Sequence, residues 1–255
     1  MMFCSSTQCT GRCLGDFNPT FTPDGRSIAF NRGVGPPILK GVPRPIDGSK
    51  ISTPEWKNYG AIFTIGLDGS NPRQVTKTPK RHEGQLANEV AEPAISPDGN
   101  MVGFVRTRYS PEENTAVFVQ PIGSPQAAHQ LTPWKMNCQE RPEFSPDGKL
   151  MLFRCLPKGE EGPSNLYWVH PGGTGLHKLT HEDSDKQYLG SSFSPSFHKG
   201  EGWITVGRTA GYGKEGNADV FRILVEDGKV VREVNLTKSE KWESNPNWGS
   251  HQPVG

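Results

Sequence analysis

The chain has 255 residues, of which 28 are basic and 27 acidic, for a net charge of +1. The two signs are interspersed, which excludes the basic stripe of a nucleic-acid or anionic-membrane binder, and there is no apolar run of about 18 residues, the length a bilayer-spanning helix needs. Thirty Gly and 23 Pro without collagen periodicity indicate a chain rich in turns.

Residues 1–16 read as a tail. The stretch MMFCSSTQCTGRC has neither a basic n-region nor an apolar h-region, so no signal peptide is recognised. Its Cys4, Cys9 and Cys13 have no clustered histidine, which argues against a zinc site. From residue 17 to 250 one string recurs: NPTFTPDGRSIAF at 18–30, EPAISPDGNMVGF at 92–104 and RPEFSPDGKLMLF at 141–153. A degraded copy that lacks Asp-Gly starts near Ser191, and a stub, NPNWGS, occupies 245–250. Recurrence at about 50 residues marks a repeat architecture.

Each copy alternates apolar and polar residues on both sides of Pro-Asp-Gly, the pattern of two strands joined by a tight turn. Phe21, Ile95, Phe144, Phe193 and Trp248 are then equivalent inward residues of a first strand. Ile28 and Phe30, Val102 and Phe104, Ile204 and Val206 line one face of a second. Third strands follow at 61–65, 116–120, 165–169 and 219–223, and short fourth strands end at Val75-Thr76, Leu131-Thr132, Leu179-Thr180 and Leu236-Thr237. Four short strands per unit predict a β-propeller of four-stranded antiparallel blades, with four to five blades. The Pro-rich stretch 33–58 has no strand periodicity and reads as a loop inserted in the first blade, and 251–255 as a C-terminal tail. The stub is expected either to pair with the first blade or to leave the ring open.

The order P-x-F-S-P-D-G-x-x-I-x-F, then a third strand with a Gly turn, then Leu-Thr, resembles the TolB-like propeller family across about residues 17–250. That resemblance implies a non-enzymatic platform that engages a protein, peptide or glycan on one face of the ring. It also implies a periplasmic or secreted location, against which the absent signal peptide weighs. The rival is a metal-dependent lyase or hydrolase of the same fold.

Candidate sites follow from register. Asn18, Glu92, Arg141 and Asn245 directly precede the first strands, with Asp16, Glu89, Glu140 and Glu243 close upstream. These residues are expected to crowd one mouth of the central channel, either to hold a divalent cation such as calcium or a charged peptide end, or to form a solvated rim. Arg32, Arg106 and Arg208 each lie two residues beyond the second strand's apolar anchor. They are read as an anion clamp or as partners of acidic side chains between blades. Trp56, Trp134 and Trp242 are loop aromatics, candidates for binding or for packing. No G-x-S-x-G, H-E-x-x-H or Gly-rich phosphate loop is present, and the histidines are scattered. Cys138 and Cys155 flank the third hairpin and fall opposite each other if it turns at Asp147-Gly148, giving either a disulfide or two half-buried thiols.

Overall fold

The Ser/Thr-Pro-Asp-Gly strings form the turns that the pattern predicts. In each of the first three, the Asp carboxylate (Asp24, Asp98, Asp147) accepts the hydroxyl of the Thr or Ser two residues earlier, and the Gly adopts φ between 66° and 75°. That left-handed backbone is cheap only for glycine. The computed structural model describes residues 14–34, 60–77, 90–108, 114–124, 127–156, 164–181, 187–209 and 218–248. The bulk of the 33–58 insertion, Trp56, Glu89, the cysteines at 4, 9 and 13 and the outermost tails lie outside them.

Among the described residues sixteen strands form four antiparallel sheets, each with its strands side by side in chain order. The first is β1 (Leu14–Phe21), β2 (Ser27–Val34), β3 (Ala61–Gly66) and β4 (Arg73–Gln74). The second is β5 (Val90–Ile95), β6 (Met101–Arg108), β7 (Asn114–Pro121) and β8 (His129–Gln130). The third is β9 (Cys138–Phe144), β10 (Met151–Cys155), β11 (Asn165–Val169) and β12 (His177–Lys178). The fourth is β13 (Tyr188–Phe193), β14 (Gly202–Thr209), β15 (Ala218–Glu226) and β16 (Lys229–Asn235). Among the described residues the sole helix is a 3-10 turn at Trp134–Met136. The described residues therefore form four antiparallel four-stranded blades in the manner of a β-propeller.

The repeated apolar-Thr ending has a specific job. The hydroxyl of Thr76 accepts the amide of Ile62, Thr132 that of Val117, Thr180 that of Leu166 and Thr237 that of Val220, at 2.8–3.1 Å. Each threonine thereby continues a ladder that its short fourth strand cannot complete, satisfying a donor that would otherwise be lost on burial. In the first three blades the apolar residue before it, Val75, Leu131 or Leu179, is buried in the core between blades, whereas Leu236 of the fourth is exposed.

Blades pack by alternation. Strand period 2 puts Val102, Phe104 and Phe118 on the face of blade two that meets Ile62 and Val75 of blade one. Met151, Phe153, Tyr167 and Val169 of blade three meet Val117, Val119 and Leu131 of blade two. Ile204, Val206 and Ile223 of blade four meet Leu152, Leu166, Trp168 and Leu179 of blade three. The corresponding face of blade one, with Phe30 and Phe63, has no such neighbour among the described residues. Phe21, expected to point inward, is 66 % exposed, whereas Phe144 and Phe193 are buried.

The inner strands pack in series, β1 on β5, β5 on β9 and β9 on β13. Among the described residues no comparable packing joins β13 to β1. The described part of the stub, to Trp248, runs along the fourth blade and not the first. The Asn245 amide donates to Leu189 O at 3.1 Å and the Trp248 indole to Ser192 O at 3.2 Å, so residues 243–248 lie along blade four. Trp248 belongs to no strand. The approach is close enough to demand glycine: a Cβ on Gly190 would stand 2.5 Å from the Asn245 carboxamide oxygen, and one on Gly207 2.4 Å from Leu189 O. Cys138 and Cys155 are directly paired across β9 and β10 and are joined by a disulfide.

Candidate functional site

The inner strands do not run straight. β1, β5 and β13 each carry one extra residue relative to the neighbouring strand, between Phe17 and Thr20, Ala91 and Ala94, and Tyr188 and Ser191. β9 carries a wider irregularity in the same place, between Gln139 and Glu143. At these bulges Asn18, Glu92 and Gly190 take φ of 49°, 57° and 75°, and Asn245 of the stub takes 53°. A bulge re-aims one side chain out of the alternation. Asparagine tolerates the left-handed region, but for Glu92 it costs about 1 kcal/mol or more.

The re-aimed side chains converge on a cavity of about 570 Å³ between the inner strands. Its walls carry Asn18, Glu92, Arg141 and Gly190, which lie inside the inner strands and not ahead of them as expected, with Asn245 of the stub, and Thr20, Ala94, Glu143, Ser192 and Asn247 two residues further on. The second set was not anticipated, and its signal was present. In P-x-F the residue x sits between the proline and the apolar anchor, so alternation alone turns it toward the axis.

Glu143 is the most perturbed group there. Some of the residue is exposed, yet its carboxyl end is enclosed, and burial pushes its pKa up to about 7 against opposing hydrogen bonds from the Ser192 hydroxyl and the Phe193 amide and the nearby Arg141 charge. The Ser192 Oγ donates to Oε1 at 3.0 Å across the junction of blades three and four.

The other candidates separate. Asp16 does not reach the cavity, because it lies opposite Arg32 in the ladder, where Arg32 Nε and Nη2 donate to its two oxygens at 2.7 and 2.9 Å. Glu243 is likewise outside the lining, and its Oε2 is buried without a hydrogen bond. The side chain of Glu140, like Glu89, falls outside the described residues.

Of the three arginines, Arg32 is held by Asp16, and Arg208 grips Glu233 with both terminal nitrogens, one of the bonds at 2.6 Å. Those carboxylates belong to the same blade as their arginine, so the pairs are within blades and not between them. Arg106 has no carboxylate partner among the described residues. Trp134 packs on Phe118 with ring centroids 5.7 Å apart and carries Arg108 at 4.8 Å, a packing role. Trp242 is 59 % exposed, and Trp56 lies outside the described residues.

Several histidines are engaged at the turns rather than at the axis: His170 Nδ1 meets Lys149 O at 2.9 Å, His177 Nε2 meets Gly228 O at 2.7 Å, and His198 stands 3.4 Å from Asp147. Among the described residues no group of three or more His, Cys, Asp or Glu side chains comes together as a metal site.

No protein-family model matches the sequence, and a search of curated proteins finds no match. Solved structures do resemble the fold. TolB from Acinetobacter baumannii aligns over 90 % of this chain and 45 % of its own, at 17 % identity and a TM-score of 0.53. A puromycin-hydrolyzing peptidase of Mycobacterium tuberculosis aligns over 92 % of this chain and 32 % of its own, at 18 % identity and a TM-score of 0.60. An oligogalacturonate lyase in complex with manganese aligns over 88 % of this chain and 54 % of its own, at 9 % identity and a TM-score of 0.54. The chain thus spans about half or less of the length of these structures. At such identities the likeness shows the fold alone, that of a TolB-like β-propeller, and leaves the activity to the chain's own residues.

Proposed function

We propose that this propeller is a non-enzymatic binding platform whose cavity takes a cationic segment of a protein or peptide. The observation that carries this reading is the placement of Glu143 and the bulge residue Glu92 together in a polar cavity between rigid strands. Rigid strands present these groups without an ordering cost at the moment of binding. Amides from Asn18, Asn245 and Asn247 give an extended backbone donors and acceptors, and Arg141 offers a partner for a terminal or side-chain carboxylate.

The test is a displayed random-peptide library panned on the purified chain, with enriched peptides resynthesised for calorimetry. Peptides rich in Lys or Arg are expected. Their affinity should rise as pH passes through about 7, because Glu143 then becomes a carboxylate. Glu143→Gln should abolish that pH dependence and weaken binding at about pH 8 by roughly tenfold, about 1.4 kcal/mol. Affinities indifferent to Glu143→Gln and Glu92→Gln would sink the proposal. So would recovery of cleaved peptide or oligosaccharide products, which would favour the lyase or hydrolase reading.

A further inference from the structure

The propeller repeats one arginine position three times and gives it an oxyanion twice. Arg32, Arg106 and Arg208 occupy the same register, and each guanidinium lies over the aromatic residues of its own blade. Arg32 is 4.9 Å from the Phe63 ring, Arg106 4.5 Å from Phe118 and Arg208 4.1 Å from Phe221. In blades one and two the residue opposite on the third strand is alanine, Ala61 and Ala116, which leaves the guanidinium room to lie flat. On the other side the first strand presents Asp16 to Arg32, and its two oxygens take two N–H bonds. Arg208 receives Glu233 in the same two-pronged way. At the equivalent ladder position opposite Arg106 stands Val90.

Arg106 is therefore a guanidinium in a seat built for an oxyanion, with none supplied by the described residues. Its Nε is buried without a hydrogen bond, and burial lowers its pKa with no opposing carboxylate. Two residues on, and on the same face of β6, Arg108 also has a buried Nε without a hydrogen bond, and its guanidinium lies over Trp134. The two arginines are about 7 Å apart along the strand, and the rings beneath them, Phe118 and Trp134, are in contact. Arginine nitrogens left without acceptors are uncommon in folded proteins.

We propose that Arg106 and Arg108 form an oxyanion site at the junction of blades one and two, separate from the central cavity, and that its ligand is a phosphate monoester. Two adjacent guanidinium groups match a dianion with three free oxygens better than a single carboxylate. The aromatic shelf of Phe118 and Trp134 gives an attached organic group an apolar surface to lie on.

The test uses the wild-type chain and needs no variant to begin. Phosphorus NMR linewidths and calorimetry are recorded with inorganic phosphate and with phenyl phosphate, at matched ionic strength against chloride and acetate. Saturable binding of both phosphates and none of acetate is expected. Tighter binding of phenyl phosphate supports the organic monoester, and equal binding would overturn that assignment in favour of free phosphate. Arg106→Gln should weaken phosphate binding at least tenfold, whereas Arg32→Gln, which removes an arginine already held by Asp16, should leave it unchanged. No saturable binding by the wild-type chain, or equal losses in the two variants, would overturn the proposal.

Discussion

Each inner strand has two ends, and they are built on opposite plans. At the turn end the blades are nearly identical. Thr22-Pro-Asp24-Gly, Ser96-Pro-Asp98-Gly and Ser145-Pro-Asp147-Gly make the same hydroxyl-to-carboxylate bond and the same left-handed glycine. At the bulge end the backbone repeats in blades one, two and four, with a wider irregularity in blade three, and the residues there are Asn18, Glu92, Arg141, Gly190 and Asn245. Uniform chemistry at one end serves folding. Similar geometry with varied chemistry at the other suits a recognition site, since the scaffold aims the position and leaves its identity free. Blade four sharpens the contrast, because its turn has lost Asp-Gly and fills the space with buried Phe197 instead, while its bulge is retained.

Three substitutions test that division, in descending order of effect. Glu143→Gln is expected to change how stability depends on pH by about 3 kcal/mol. The folded carboxyl titrates near 7 and the unfolded one near 4.5. Between those values the folded state holds the proton and the unfolded state does not, so wild-type stability falls as pH rises through this window and is level above it. The glutamine variant should show no fall there. Urea unfolding from about pH 4 to about pH 8 reads the difference, and parallel curves for the two proteins would mean that the carboxyl is not enclosed.

Asp147→Ala should cost about 1–2 kcal/mol by leaving the Ser145 hydroxyl and two amides without their acceptor. Those amides are Lys149 N and Lys199 N, at 3.1 and 3.2 Å. The folded carboxyl is held below its usual value by these bonds and by His198, against the desolvation that would raise it. Its contribution is therefore present at neutral pH and lost as pH falls through the folded pKa, so wild type and variant should converge in acid. A thermal melt at about pH 7 that matches wild type would remove the turn's folding role.

Glu92→Gly is the smallest and the most diagnostic. It relieves a left-handed φ of 57°, a gain of about 1 kcal/mol that the extra freedom of glycine in the unfolded chain largely offsets. Stability within about 0.5 kcal/mol of wild type, with weakened peptide binding, would show that the position is held for its side chain. A large loss of stability would assign Glu92 to the scaffold.

Much of this was legible before any coordinates. Repeat spacing, Asp-Gly turns and period-2 alternation lead directly to four-stranded blades, because each is a local rule that the chain obeys three or four times. The partners of the arginines were not legible in the same way. Asp16 stands 16 residues from Arg32 and Glu233 stands 25 from Arg208, so each pair depends on ladder register. Glu143 was overlooked although its place in P-x-F turns it to the axis; one acidic residue in a string otherwise read as turn and core carries no chemical signature of its own.

By itself, then, the amino-acid order determined the local geometry, namely which residues turn, which alternate, and where threonines replace a missing strand. Those are decided by backbone sterics and by hydrogen bonds between residues near in the chain or in the same blade. Only the tertiary structure decided that Glu143 of β9 meets Ser192 of β13, that Arg106 faces Val90 where Arg32 faces Asp16, and that residues 243–248 run along the fourth blade instead of the first. Burial, pairing and register are properties of neighbours that the chain brings together from far apart, and the electrostatics of both proposed sites depend on them.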